Sequence, residues 1–179
     1  MIRAIVLAAA IYLALIAQDF LPAVAFLGGS HLLLVPLLFV YGALWLPFPG
    51  MIALALYTGL LSDLATLHAT GDQVEIGLGW SMLFYVLLGT ILRQLQPPAT
   101  PVRWEIHCLA SAAATSLLLL LQYLMVCLRR ESFMMDVAVL WQIFGPGLAA
   151  LFLALPVCFL LRWLPASPWD DAEPGRFTA

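Results

Sequence analysis

Six apolar runs decide what this chain can fold into: residues 2–17, 31–46, 51–67, 76–92, 105–128 and 137–164. A helix needs roughly 20 apolar residues to cross a bilayer, with about 17 to 25 the usual range. The runs are apolar on every face, without the alternation in ten-residue segments that a membrane β-barrel would show. The expected fold is therefore an all-α polytopic membrane protein, a six-helix transmembrane bundle. Composition agrees. Of 179 residues, 64% are hydrophobic and 9% charged, and the mean hydropathy is +1.05. A soluble domain carries about 25% charged residues, so this chain has too little polar surface to coat a water-soluble globule.

Residues 1–164 read as one transmembrane domain, and 165–179, rich in Pro, Asp and Ala, as a disordered cytoplasmic tail. The first two runs are short, with ends that can extend into Phe20–Leu27. The last holds Gly145-Pro146-Gly147 and Pro156, which predicts a kink or a break. Trp45, Trp80, Trp104, Trp141 and Trp163 fall near run ends, where indole rings favour the membrane interface. Six spans put both termini on one side. With that side cytoplasmic, Arg3, Arg93, Arg103, Arg162 and Arg176 are inside and Arg129 and Arg130 outside, as the positive-inside rule favours. Met1-Ile2-Arg3, an apolar run and Ala23-Val24-Ala25 also resemble a signal peptide. Because several spans follow, an uncleaved first helix is the expectation.

Lysine is absent and the formal net charge is −3. No basic patch tracks a phosphate backbone, which excludes nucleic acid as a partner class. Cys108, Cys127 and Cys158 lie in apolar runs without a CxxC pair and read as small buried hydrophobes. His31, His68 and His107 lack the i, i+4 spacing of a helical zinc site and read as interfacial. No metal or other cofactor is expected.

Asp63 is the leading candidate for a special role. It lies twelve residues after Met51, about 18 Å along a helix, and a membrane-embedded aspartate needs a partner or a wet cavity. It is either a site for a substrate, proton or partner helix, or a packing carboxylate. In the second case it hydrogen-bonds Ser62, Thr58 or a neighbouring helix N-terminus, or snorkels outward. Small residues form the second signal: Gly59, then Gly77, Gly79, Ser81 and Gly89, and the stretch Ala110–Ser116, all of which let helix backbones approach closely. Ala4, Ala8, Ala10 and Ala14 mark either a docking face of the first helix or internal packing. No GxSxG or HExxH is present. The one enzymatic arrangement with any basis pairs Asp63 with Asp136 as a water-activating carboxylate dyad, against which solvation explains Asp136 sufficiently. The expectation is a protein that is not an enzyme.

The stretch Val35–Arg93 resembles the bacterial rod shape-determining protein MreD family. The shared features are a short apolar second helix, a turn at Gly50, and Tyr57-Thr58-Gly59-Leu60-Leu61-Ser62-Asp63-Leu64, like the family's G-x-L-x-D pattern. A polar loop then leads to Ile76-Gly77-Leu78-Gly79, a helix with Tyr85 and Gly89, and Arg93. The turn Pro47-Phe48-Pro49-Gly50 lacks the arginine often found there in the family. The resemblance implies a non-enzymatic component of the cell-elongation (rod) complex in the bacterial inner membrane, supporting cell shape and lateral peptidoglycan synthesis. It implies binding to an MreC-like single-span protein and, indirectly, to MreB, RodA and a class B penicillin-binding protein, with membrane lipids around it. Gly59, Asp63, Gly77, Gly79, Tyr85 and Gly89 become structural or partner-binding candidates on that reading. The family is related in fold to the S-components of energy-coupling-factor transporters, which supply the alternative: a vitamin-binding subunit whose alanine motifs in the first helix dock on a coupling subunit. Asp72, Gln73, Glu75 and Arg129 are the polar groups such a pocket would have to use.

Overall fold

Backbone amides at membrane depth have no water to bond, so apolar runs close their hydrogen bonds internally as helices. The computed structural model describes residues 2–21, 29, 31–69, 79–95, 104–131 and 136–161. These form α1 (Ile2–Phe20), α2 (Val35–Trp45), α3 (Phe48–Ala69), α4 (Trp80–Leu95), α5 (Trp104–Arg130) and α6 (Val137–Leu161), with no strand among the described residues. Helices α1, α3, α5 and α6 are long and apolar enough to cross a membrane; α2 and α4 are shorter. The protein is a helical membrane protein.

The short α2 is the hub. Its Val35, Pro36, Leu37, Phe39, Val40, Tyr41, Gly42 and Ala43 are buried, and it packs against each of the other five helices. A helix apolar on all sides has no solvent face to present, and here the other helices surround it. Around it, α3 pairs with α4 and α5 with α6. The main core joins Leu7 and Ile11 of α1, Phe39 and Val40 of α2, Met51 and Leu54 of α3, Tyr85 of α4 and Leu118 of α5. Leu37 and Cys108 join Ala150 and Ala154 of α6 in a smaller cluster.

Small residues set the closest approaches. A methyl on Gly42 would strike Leu54, and one on Gly147 would strike Ser116 and the Ala112 carbonyl. The small stretch in α5 is thus the bed for Gly147 of α6. Ala4, Ala8 and Ala14 pack inward against the core, so this much of the alanine pattern serves internal packing.

Several boundaries differ from the sequence expectation. Helix α1 reaches Phe20 rather than ending at Ala17. The run 31–46 is helical only from Val35 to Trp45, because Pro36 sits in the first turn and lacks the amide to continue a helix backwards. Phe48-Pro49-Gly50, expected as a turn, is instead the first turn of α3, where proline costs no intrahelical bond. Helix α4 starts at Trp80 and runs to Leu95 rather than 92; residues 76–78 lie outside the described residues. Helix α5 starts at Trp104 and continues past Leu128 through Arg130, ending at Glu131, whose φ is 49°. Helix α6 runs unbroken through Pro146 and Pro156, so of the expected kink or break the break does not occur. Arg162, the tail 165–179 and Ala23-Val24-Ala25 lie outside the described residues.

Candidate functional site

Eleven residues of α2 rise about 16 Å, and sixteen of α4 about 24 Å, against a hydrocarbon layer of about 30 Å. Neither helix alone is as long as that layer is thick. The first amides and last carbonyls of a helix have no intrahelical partner, so these ends need partners from elsewhere in the bundle.

Asp63 supplies one. Its Oδ2 accepts the Gly79 amide at 2.6 Å and its Oδ1 the Ser81 amide at 3.3 Å. The carboxylate of α3 therefore sits on the N-terminus of α4, where the helix dipole favours a negative charge. Asp63 is 3% exposed, which an aspartate tolerates when amides solvate it. Of the two sequence readings, the packing carboxylate at a neighbouring helix N-terminus describes what these bonds do.

The glycines make that reach possible. A methyl on Gly59, one turn before Asp63, would run into the backbone of Met82, so its absence lets the first turn of α4 lie directly on α3. Gly79 has φ +98° with open space around it. Conformation, not crowding, demands glycine there. Gly89 faces Met51 and Phe39, and a methyl would press on both. Tyr85 is fully buried, with its ring edge-on to Phe39 at 4.8 Å and to Phe84 at 5.4 Å. Its hydroxyl lies toward Ser62 and Asp63 without a well-formed hydrogen bond. The structure thus gathers Gly59, Asp63, Gly79 and Tyr85 at one α3–α4 junction, with Gly89 further along the same contact. Gly77, the remaining candidate, lies outside the described residues.

Two further side chains cap α2, a role the sequence assigned to neither, although Arg93 is among the features of the resemblance. Gln18 of α1 accepts the amides of Leu34 and Val35 through Oε1, at 3.0 and 3.2 Å, closing the start of α2. Arg93 of α4 donates from Nη1 to the Leu46 carbonyl at 2.8 Å, closing its end. A cation belongs at a helix C-terminus as an anion does at an N-terminus. The available signal was that Gln18 and Arg93 are polar residues at the ends of apolar runs.

His107 is buried, with its ring at 87° to that of Tyr41 and 5.7 Å away, and neither ring nitrogen has a hydrogen-bond partner among the described residues. His31 is exposed, and the side chain of His68 lies outside the described residues. Cys108 and Cys127 are buried and outside any disulfide; the side chain of Cys158 is not among those described. Asp136 is exposed and accepts the Val137 amide at 2.7 Å at the start of α6. The two aspartates of the dyad reading thus cap different helices. Asp72, Gln73, Glu75 and the side chain of Arg129 lie outside the described residues.

No family model matches the chain, and no curated protein or solved structure matches it significantly.

Proposed function

We propose that this chain is a non-enzymatic membrane scaffold of the MreD type, a six-crossing bundle of the bacterial inner membrane with both termini cytoplasmic. It supports cell elongation and lateral peptidoglycan synthesis by binding an MreC-like single-span protein, and through that protein works with MreB, RodA and a class B penicillin-binding protein. The observation that carries the reading is the use made of Asp63. The residue at the centre of the resemblance holds the backbone amides of α4, and Gly59 and Gly79 of the same motif are required by that geometry. Such a junction sets the relative position of two helices and hence the outer shape that a partner helix meets. The vitamin-transporter alternative draws on an alanine face of the first helix free to dock elsewhere, whereas Ala4, Ala8 and Ala14 pack inward.

Affinity purification from native membranes in mild detergent, with mass spectrometry of what co-purifies, tests this. A single-span MreC-like protein with wall-synthesis enzymes is expected, and Asp63→Leu should reach the membrane yet recover less of that partner. A coupling-factor membrane subunit with paired ATPases would contradict the proposal.

A further inference from the structure

The chain alternates direction from helix to helix, so the start of α1, the α2–α3 turn and the end of α4 share one end of the bundle. Two arginines meet there on the same short turn. Arg93 donates to the Leu46 carbonyl, and its guanidinium lies 5.9 Å from the centre of the Phe48 ring. Arg3, from the first turn of α1, lines a small pocket with Leu7, Tyr41, Trp45 and Leu46, and its guanidinium lies 5.9 Å from the centre of the Trp45 ring. Tyr41 stacks on Trp45 with ring centres 5.9 Å apart.

Both supporting rings are near half exposed, Trp45 at 44% and Phe48 at 46%. The two cation–aromatic pairs therefore open onto the periphery of the bundle. Tryptophan rings such as that of Trp45 concentrate at headgroup level, and a guanidinium presents five donors in a fork suited to phosphate. Toward the membrane interior from Arg3, Ile5 and Val6 are exposed and offer an apolar track for an acyl chain.

We propose that Arg3 and Arg93, held on Trp45 and Phe48, form a binding site for the phosphodiester headgroup of an anionic phospholipid. The lipid bridges the first turn of α1 and the last turn of α4 across the α2–α3 turn. The two arginines are placed differently: Arg93 also closes α2 through the Leu46 carbonyl, whereas Arg3 reaches the site from the first turn of α1.

Native mass spectrometry of the full chain in detergent, titrated with phosphatidylglycerol, phosphatidylcholine or inorganic phosphate, tests the site. Phosphatidylglycerol should be retained over phosphatidylcholine, and Arg3→Gln should reduce that preference about fivefold, the contribution of one arginine at a charged lipid surface. Arg3→Lys should keep part of it. Because Arg93→Gln also uncaps α2, the Arg3 variants carry the test. Equal retention of the two lipids, or an unchanged preference in Arg3→Gln, would overturn the proposal. Displacement of phosphatidylglycerol by inorganic phosphate at similar concentration would overturn the assignment to a lipid.

Discussion

At the level of single residues, polar groups inside this bundle fall into two kinds. Gln18, Asp63 and Arg93 each satisfy backbone groups that a short helix leaves open. Thr58 and Thr115 return their hydroxyls to carbonyls four residues back, at 2.7 and 2.8 Å. The second kind lacks a partner among the described residues: the Tyr85 and Ser111 hydroxyls, the Trp80 indole nitrogen and both nitrogens of the enclosed His107 imidazole. A buried polar group without a partner costs about 1–3 kcal/mol, and an apolar replacement of similar shape removes that cost. His107→Leu should therefore leave the thermal unfolding midpoint in detergent unchanged or raised. A clear fall in the midpoint would mean that the imidazole has a stabilising partner. Asp63 was legible as a residue needing a partner, because charge in an apolar run is conspicuous. Which amides it bonds was not, since they lie 16 and 18 residues further on and sequence spacing carries no register between helices.

At the level of helices, what could be read from the chain depended on how each one ends. The cores of α5 and α6 follow directly from long apolar runs, and apolarity alone places them. The limits of α2 do not, because residues 32–34 are as apolar as the helix itself but are not helical. There the Gln18 side chain takes the Leu34 and Val35 amides instead. Proline misled in two directions: Pro49 suggested a turn where α3 begins, and Pro146 a break where α6 continues. At Pro49 no local preference is overridden, because a proline in the first turn of a helix gives up no intrahelical bond. Contact between α3 and α4 depends on Gly59. Gly59→Ala, which drives a methyl into the Met82 backbone, should destabilise the protein by about 1–3 kcal/mol, the usual cost of overpacking. Gly50→Ala is the matched comparison, since its added carbon meets neighbours only at 3.7 Å, and it should change stability by less than about 1 kcal/mol. Equal effects of the two substitutions in thermal unfolding would remove Gly59 from its assigned place.

Across the whole molecule, a short buried helix at the hub is surrounded by all the others, and the two short helices are closed by side chains from longer or neighbouring ones. Membrane embedding explains why this arrangement uses charge so sparingly. With few ionisable groups available, one carboxylate at the α4 start and one guanidinium at the α2 end satisfy backbone groups that the short helices leave open. The α3–α4 pair depends on that carboxylate, while α5 and α6 are joined through small residues and Gly147 and do not. Hydrogen–deuterium exchange on the intact protein in detergent separates these halves in one measurement. In Asp63→Leu, amides of the first turn of α4 should exchange about tenfold faster or more, as expected for losing an acceptor worth at least about 1.4 kcal/mol, with α5 and α6 unchanged. If the first turn of α4 stays as protected as in the native chain, Asp63 does not hold it.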